Sequence, residues 1–256
     1  MILVPHVRGA GLFSQFNKLI TVMEASQTAD IYVDWRQGTL YGRRRDGNLF
    51  EHLFRQLAPL RRGDQRVSDW PHYRYTGTAA AALYPHDSWR RPLNFWWSKL
   101  RVLPALLAEA DGFLAPHGSA VTAVHIRNSQ IGAECPNRVA PTLGDYREAL
   151  AGIEGKVFLA TDNAEAVHEI KELLGDRLLV RNTGRSPDMN TELHYWRRQT
   201  VRDAQDCLVD ALIMARCRRI IHSVSNIATA VLYMNPAIPH TFVEHGRCRV
   251  FTPAAG

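Results

Sequence analysis

Residues 121–137 read VTAVHIRNSQIGAECPN. The apolar, β-branched opening has the character of a strand buried on both faces, and it ends in polar groups where a solvated surface loop would need none. His125 and Arg127 lie two apart, so they project to the same face at the strand end. A loop holding Gly132 and Glu134 follows. Together these groups suit a site that holds an anionic leaving group beside a proton acceptor.

Two later segments have the same form. KVFLATD (156–162) ends in Thr161 and Asp162, and RRIIHSVSN (218–226) ends in Ser223 and Ser225, with Asn226 opening a helix whose free N–H groups suit phosphate. Helical periodicity fills the intervals, in TLGDYREALAGI, NAEAVHEIKELLG and VRDAQDCLVDALIMARC, and returns in NIATAVLYMN. Strands alternating with helices predict a parallel sheet, and ligands of such sheets sit outside the carboxyl ends of the strands. Each end also has a plain structural reading, because Thr-Asp and Ser-Asn before a helix are N-cap residue types. The convergence of three polar ends on one crevice favours a site.

Asp210 lies within CLVDALIMARC among apolar residues. A carboxylate buried there needs a partner, for which a guanine edge, a neighbouring arginine or a backbone N–H would each serve.

Toward the N-terminus, MILVPHV reads as a buried strand, RGAGLFSQ as a Gly turn carrying Gly9 and Gly11, FSQFNKLITVMEASQT as a helix and DIYVDW as a second strand. That is a second parallel unit. Residues 36–95 are rich in Pro, Gly and Arg and are expected to be irregular, with short helices. NFWWSKLRVLPALLAEADGFLAPHG (94–118) is expected to be one helix kinked at Pro104. The division that follows is an N-terminal domain over residues 1–108 and a C-terminal domain over 109–256.

The chain has 256 residues, 46% of them hydrophobic, enough for one large α/β domain or two small ones. Its net charge of +6 comes mostly from arginine, which matches phosphate oxygens in a fixed fork. The arginines, GRRRDG and Arg197–Arg198 included, are scattered and accompany no nucleic-acid motif, so nucleic acid is not an expected partner. Cys135, Cys207, Cys217 and Cys248 form no C-x-x-C pair and read as reduced thiols, mostly buried. With no signal peptide and no membrane span to be read, a soluble cytoplasmic protein is expected.

VHIRNSQIGAE, VFLATDNAEAV, LHYW and CLVDALIMARCRRIIHSVSNIATAVLY, in this order, resemble the C-terminal half of the α1,6-fucosyltransferases. RGAGLFSQFNKL and IYVDWRQG resemble the Gly turn and strand of the nodulation-type members of that family. About two thirds of the chain takes part. The resemblance implies a GT-B fold of two Rossmann-like domains with parallel sheets facing a cleft, and an inverting, metal-independent transfer from GDP-fucose with no resident cofactor. No D-x-D pair is present to hold a metal ion on the diphosphate.

By motif, Arg127 takes the diphosphate, His125 and Asp210 lie around the nucleotide, and Ser223, Ser225 and Asn226 lie near the phosphates. Asp162 sits at the ATD turn, and the resemblance implies that Glu134 is the base that takes the acceptor proton. The acceptor would be a glycan hydroxyl or another small molecule. Asn128 and Gln130 stand where the family often has charged residues, so a GT-B-like protein that binds a nucleotide sugar or glycan without turnover is the alternative.

Overall fold

The computed structural model describes residues 2–5, 11–36, 40–60, 65–66, 82–118, 120–127, 139–191 and 193–253. The first parallel unit forms as the sequence predicts. Strand β1 (Ile2–Pro5) pairs in parallel with β2 (Ile31–Asp34), and β4 (Gln65–Arg66) adds to its other side. Helix α1 (Leu12–Ser26) makes the crossover and buries Phe13, Phe16, Leu19, Ile20 and Met23 on one face. It stops at Gln27, which adopts the left-handed conformation with φ 52°.

The stretch 94–118 differs from its expectation. It is two helices, α2 (Arg90–Trp97) and α3 (Pro104–Leu114), with strand β5 (Arg101–Val102) between them, paired antiparallel to β3 (Phe54–Arg55). Pro104 kinks nothing, because it occupies the first helical position, where its missing N–H has no intrahelical partner to lose. Leu103 before it is extended, as the clash with a proline ring demands.

The second sheet has six strands: β6 (Thr122–Ile126), β7 (Val157–Thr161), β8 (Leu178–Leu179), β9 (Arg219–His222), β10 (His240–Glu244) and β11 (Arg247–Phe251). Their order is β11-β10-β9-β6-β7-β8, parallel except for the edge strand β11. Helices α4 (Leu143–Leu150), α5 (Ala164–Leu174), α6 (Leu193–Trp196), α7 (Val201–Arg216) and α8 (Asn226–Met234) connect it. Capping boxes at Thr142 and Thr200 start α4 and α7.

Alternation along β7 sends Phe158 and Ala160 to one core and Val157 and Leu159 to the other. The first core is shared with the N-terminal sheet, joining Phe16, Trp35 and Phe54 to Leu208, Val231 and Phe242. The second lies under α4 and α5, with Tyr146 and Ile170. Trp89 and Trp96 are buried in the shared core. Position 109, where the expected division of the chain falls, lies inside α3.

Candidate functional site

The three polar strand ends are neighbours. His125 on β6 is in register with His222 on β9 and with Ala160 on β7. From β6 the chain steps outward through β7 to β8, then returns to β9 and β10 on the other side. The gap between β6 and β9 is therefore the switch point at which a crevice must open. A cavity of about 400 Å³ occupies it, within the range of small-molecule sites.

Two helices begin at this cavity. Gly11, Leu12 and Ser14 from the start of α1 line it, as do Ser225, Asn226 and Ile227 from the start of α8. The first-turn N–H groups of a helix have no intrahelical partners and carry a partial positive charge. Gly11 caps α1 without a side chain, so that helix end has no side-chain cap. Arg127, half-buried just past β6, lines the same cavity.

His125 is held neutral. Burial, with Arg127 adding to it, pulls its pKa down to about 3. Its Nδ1 lies 3.2 Å from the Ala160 carbonyl and its Nε2 lies 2.9 Å from Ser225 Oγ. These partners assign the proton to Nδ1, so the Ser225 hydroxyl donates to Nε2. The same Ser225 oxygen accepts from Ile227 N at 3.2 Å and caps α8. Behind it, Tyr84 Oη donates to the Ser225 carbonyl at 3.2 Å and lies 3.0 Å from Thr229 Oγ1.

Asp162 reaches the cavity because the capping of α5 falls to its neighbour: Asn163 Oδ1 accepts from Ala166 N at 2.9 Å. Ser223 is 3% exposed and is not among the cavity-lining residues. Gly9, Asn128, Gln130, Gly132 and Glu134 lie outside the described residues. Of the cysteines, Cys217 is buried, Cys207 and Cys248 are partly buried, and Cys135 falls outside the description.

On the β8 side the cavity meets an acidic helix face. Asp203, Asp206 and Asp210 recur at intervals of three and four along α7, and all three line the cavity. Arg181, from the loop after β8, joins them: its Nη1 donates to Asp210 Oδ1 at 2.8 Å and its Nη2 to Asp206 Oδ1 at 2.9 Å. It also pairs with Glu109 of α3, which Arg202 holds from the other side. Despite burial, these two guanidinium groups keep Glu109 below the usual carboxylate range.

Asp210 goes the other way. Burial pushes its pKa up to about 6, against the pull of Arg181. Arg181 is itself shifted upward, against burial, chiefly by Asp210. The pair is ionic, and its desolvation cost falls on the carboxylate. Arg185 secures the loop, donating to the Arg181 and Thr183 carbonyls at 2.6 and 3.2 Å. Thr183 and Gly184 of that loop line the cavity.

The sequence reading missed Arg181, Asp203, Asp206, Tyr41 and Gln199. The D-x-x-D-x-x-x-D spacing puts the two aspartates on one helix face with Asp210, but the same spacing reads equally as a solvated face. Tyr41 and Gln199 meet through an isolated bridge between distant segments, which leaves no mark in the local pattern. Among the described residues, no group of three or more His, Cys, Asp or Glu is arranged to hold a metal ion, and no helix is long and apolar enough to cross a membrane.

No protein-family model and no curated protein matches the chain. Solved structures do. The α-1,6-fucosyltransferase NodZ co-crystallised with GDP aligns over 99% of this chain and 99% of its own, with TM-score 0.60 and 14% identity. NodZ from Bradyrhizobium aligns over 98% of each chain, with TM-score 0.58 and 15% identity. POFUT1 in complex with GDP-fucose aligns over 95% of this chain and 98% of its own, with TM-score 0.54 and 14% identity. What these likenesses share with the chain is its architecture: it has the GT-B fold of the fucosyltransferases.

Proposed function

We propose that the protein is a glycosyltransferase that moves fucose, or a related sugar, from a GDP-linked donor to a hydroxyl of a glycan or other small acceptor in the cytoplasm. The observation that carries this reading is the polarity of the switch-point cavity. Toward β9 and β6 it offers the N-termini of α1 and α8 and the Arg127 guanidinium. Toward β8 it offers the carboxylates of α7 and the loop of Thr183 and Gly184. From β9 to β8 is three strand spacings, roughly 14 Å, enough for a ligand with an anionic end and a hydrogen-bond-donating end. A guanosine diphosphate is such a ligand, and the solved neighbours were crystallised with GDP and GDP-fucose.

In this reading the diphosphate lies against the helix N-termini and Arg127. Charge growing on the departing GDP is met by N–H donors and a guanidinium already in place. Asp210 commits Oδ1 to Arg181, so Oδ2 is the acceptor it offers to the N–H edge of the base. With its pKa pulled down to about 3 by burial and its Nε2 lone pair taken by Ser225, His125 is a poor proton acceptor. Its part is to orient the Ser225 hydroxyl and, through it, the start of α8. We assign the acceptor proton to Glu134, in a single displacement with inversion that draws on no resident cofactor or metal.

Calorimetric titration with GDP, UDP and ADP tests this reading. GDP is expected to bind most tightly, and Arg127→Ala to weaken it by about 2–4 kcal/mol through loss of a charge-assisted contact in a desolvated cleft. Absence of GDP binding up to millimolar concentration sinks the proposal. Glu134→Gln is expected to abolish transfer while leaving GDP binding in place, and a protein that binds GDP without turnover is the outcome that refutes the enzymatic part.

A further inference from the structure

We propose that Arg181 is a positioning residue for the nucleobase, holding Asp210 ionised and aimed at the cavity so that the N–H edge of the base meets a carboxylate and not a carboxylic acid. The inference rests on the nucleotide-site reading above. Arg181 is 8% exposed and is not among the cavity-lining residues, so it acts through Asp210. Its guanidinium is fixed from three sides: by Asp210 Oδ1 at 2.8 Å, by the Asp206 carbonyl and Oδ1 at 3.0 and 2.9 Å, and by Glu109.

The charged surroundings of Asp210 are nearly balanced. From the loop after β8 come Arg181 and Arg185, and from α7 come Asp206 and the partly buried Cys207. Glu109 of α3 and Arg202 of α7 complete the network through shared contacts. The Asp210 side chain is only 14% exposed, so water can do little to stabilise a charge there. Removing Arg181 leaves Asp206, Asp210 and Glu109 facing Arg185 and Arg202, and takes from Asp210 its direct cation partner. Burial already lifts that carboxyl to about 6. Without Arg181 it protonates near neutral pH, turning an acceptor into a donor opposite another donor.

The sign of the effect follows. In the wild type, base recognition is present above about pH 6 and is lost as Asp210 takes up its proton below that, by about tenfold per unit. In Arg181→Met the same fall begins at least one unit higher.

The experiment measures the Kd of GDP by calorimetry from pH 5 to 8.5 for the wild type, Arg181→Met, Arg181→Lys and Asp210→Asn. Asp210→Asn binds weakly and supplies the baseline set by the titration of GDP's own terminal phosphate. With that baseline divided out, Arg181→Met is expected to bind about twofold or more weaker than the wild type at pH 7 and about tenfold or more weaker at pH 5, with the deficit shrinking toward pH 8.5, and Arg181→Lys to fall between Met and the wild type. A deficit that is equal at every pH, or no deficit, overturns the proposal. If Arg181→Met does not fold, Arg181→Lys decides, and a wild-type pH midpoint in that variant overturns it. Failure of the wild type to bind GDP at pH 8.5 sinks the nucleotide-site reading itself, whereas wild-type binding with an unshifted variant profile sinks only the role of Arg181.

Discussion

Ser225→Ala is the sharpest test of how the cavity is built, because one oxygen has two jobs. It accepts from Ile227 N at 3.2 Å as the cap of α8, and it donates to His125 Nε2 at 2.9 Å. Losing a serine cap costs about 1 kcal/mol. Losing the donor also orphans the lone pair of an imidazole that is 8% exposed and already committed through Nδ1 to Ala160, which costs about 1–3 kcal/mol more. The sum is about 2–4 kcal/mol, read as a fall in the urea midpoint with unchanged slope. The two parts separate in the His125→Phe background, where no ring nitrogen is left to orphan and Ser225→Ala should cost only the cap, about 1 kcal/mol. The expected coupling is therefore about 1–3 kcal/mol. Additivity within about 0.5 kcal/mol would show that Ser225 Oγ does not donate to His125, and the assignment of the neutral Nδ1–H tautomer would fall with it.

Two other perturbations test the frame around the site. Asn17→Ala removes the bonds from Nδ2 to the Asn226 carbonyl and Oδ1, at 3.2 and 3.3 Å, and orphans the buried Tyr233 hydroxyl that donates to Asn17 Oδ1 at 3.1 Å. A loss of about 1–3 kcal/mol is expected in urea unfolding, and adding Tyr233→Phe should restore part of it; if the second substitution destabilises further, the orphaned hydroxyl is not the cause. Acid should unfold the protein early, because His125, His222 and His240 are all pulled below the usual 6.5 by burial. Each folded pKa lies below its unfolded value, so their contribution is complete above about pH 6.5 and is lost as pH falls, by up to about 4 kcal/mol per unit for the three together. Asp210, shifted up to about 6, opposes this by at most one proton. A urea midpoint that is the same at pH 7.5 and pH 5 would contradict the buried neutral histidines.

Much of this arrangement was legible in local pattern. VTAVHI, KVFLAT and RRIIH became three adjacent parallel strands, since a β-branched run between helical periods has few other ways to satisfy its backbone. His125, Arg127, Asp162, Asp210, Ser225, Asn226 and Gly11 all line one cavity, which follows from strand order and handedness once the parallel sheet is granted. The failures have a common cause, which is that a partner across the fold decides the outcome. Arg101–Val102 is too short to announce a strand and exists because Phe54–Arg55 lies opposite. Strand β8, two residues long, is in the same position. The aspartates of α7 repeat like a solvated helix face, and only the arrival of Arg181 and Arg197 from other segments turns that face inward.

The most consequential of these long-range contacts hold α8. At its start, Asn17 of α1 bonds to Asn226 and Tyr84 bonds to the backbone of Ser225. At its end, Asn94 Nδ2 of α2 donates to the Tyr233 carbonyl at 2.8 Å, and Arg90 Nη1 donates to the Ile238 carbonyl at 3.3 Å. The N-terminal half thus grips a helix of the C-terminal sheet at both ends. Asn17 is six residues from Gly11, about 9 Å along α1, so the two helix N-termini that face the cavity are fixed to each other within two turns. A hinge that parted the two sheets at this point would have to break the Asn17 bonds and expose the core that joins Phe16 to Val231. The end of the cavity bounded by the two helix N-termini is therefore formed before any ligand arrives. For the proposed GDP-linked donor, its N–H groups would need no reorganisation as charge develops, which is the condition under which fixed dipoles stabilise a leaving diphosphate most effectively.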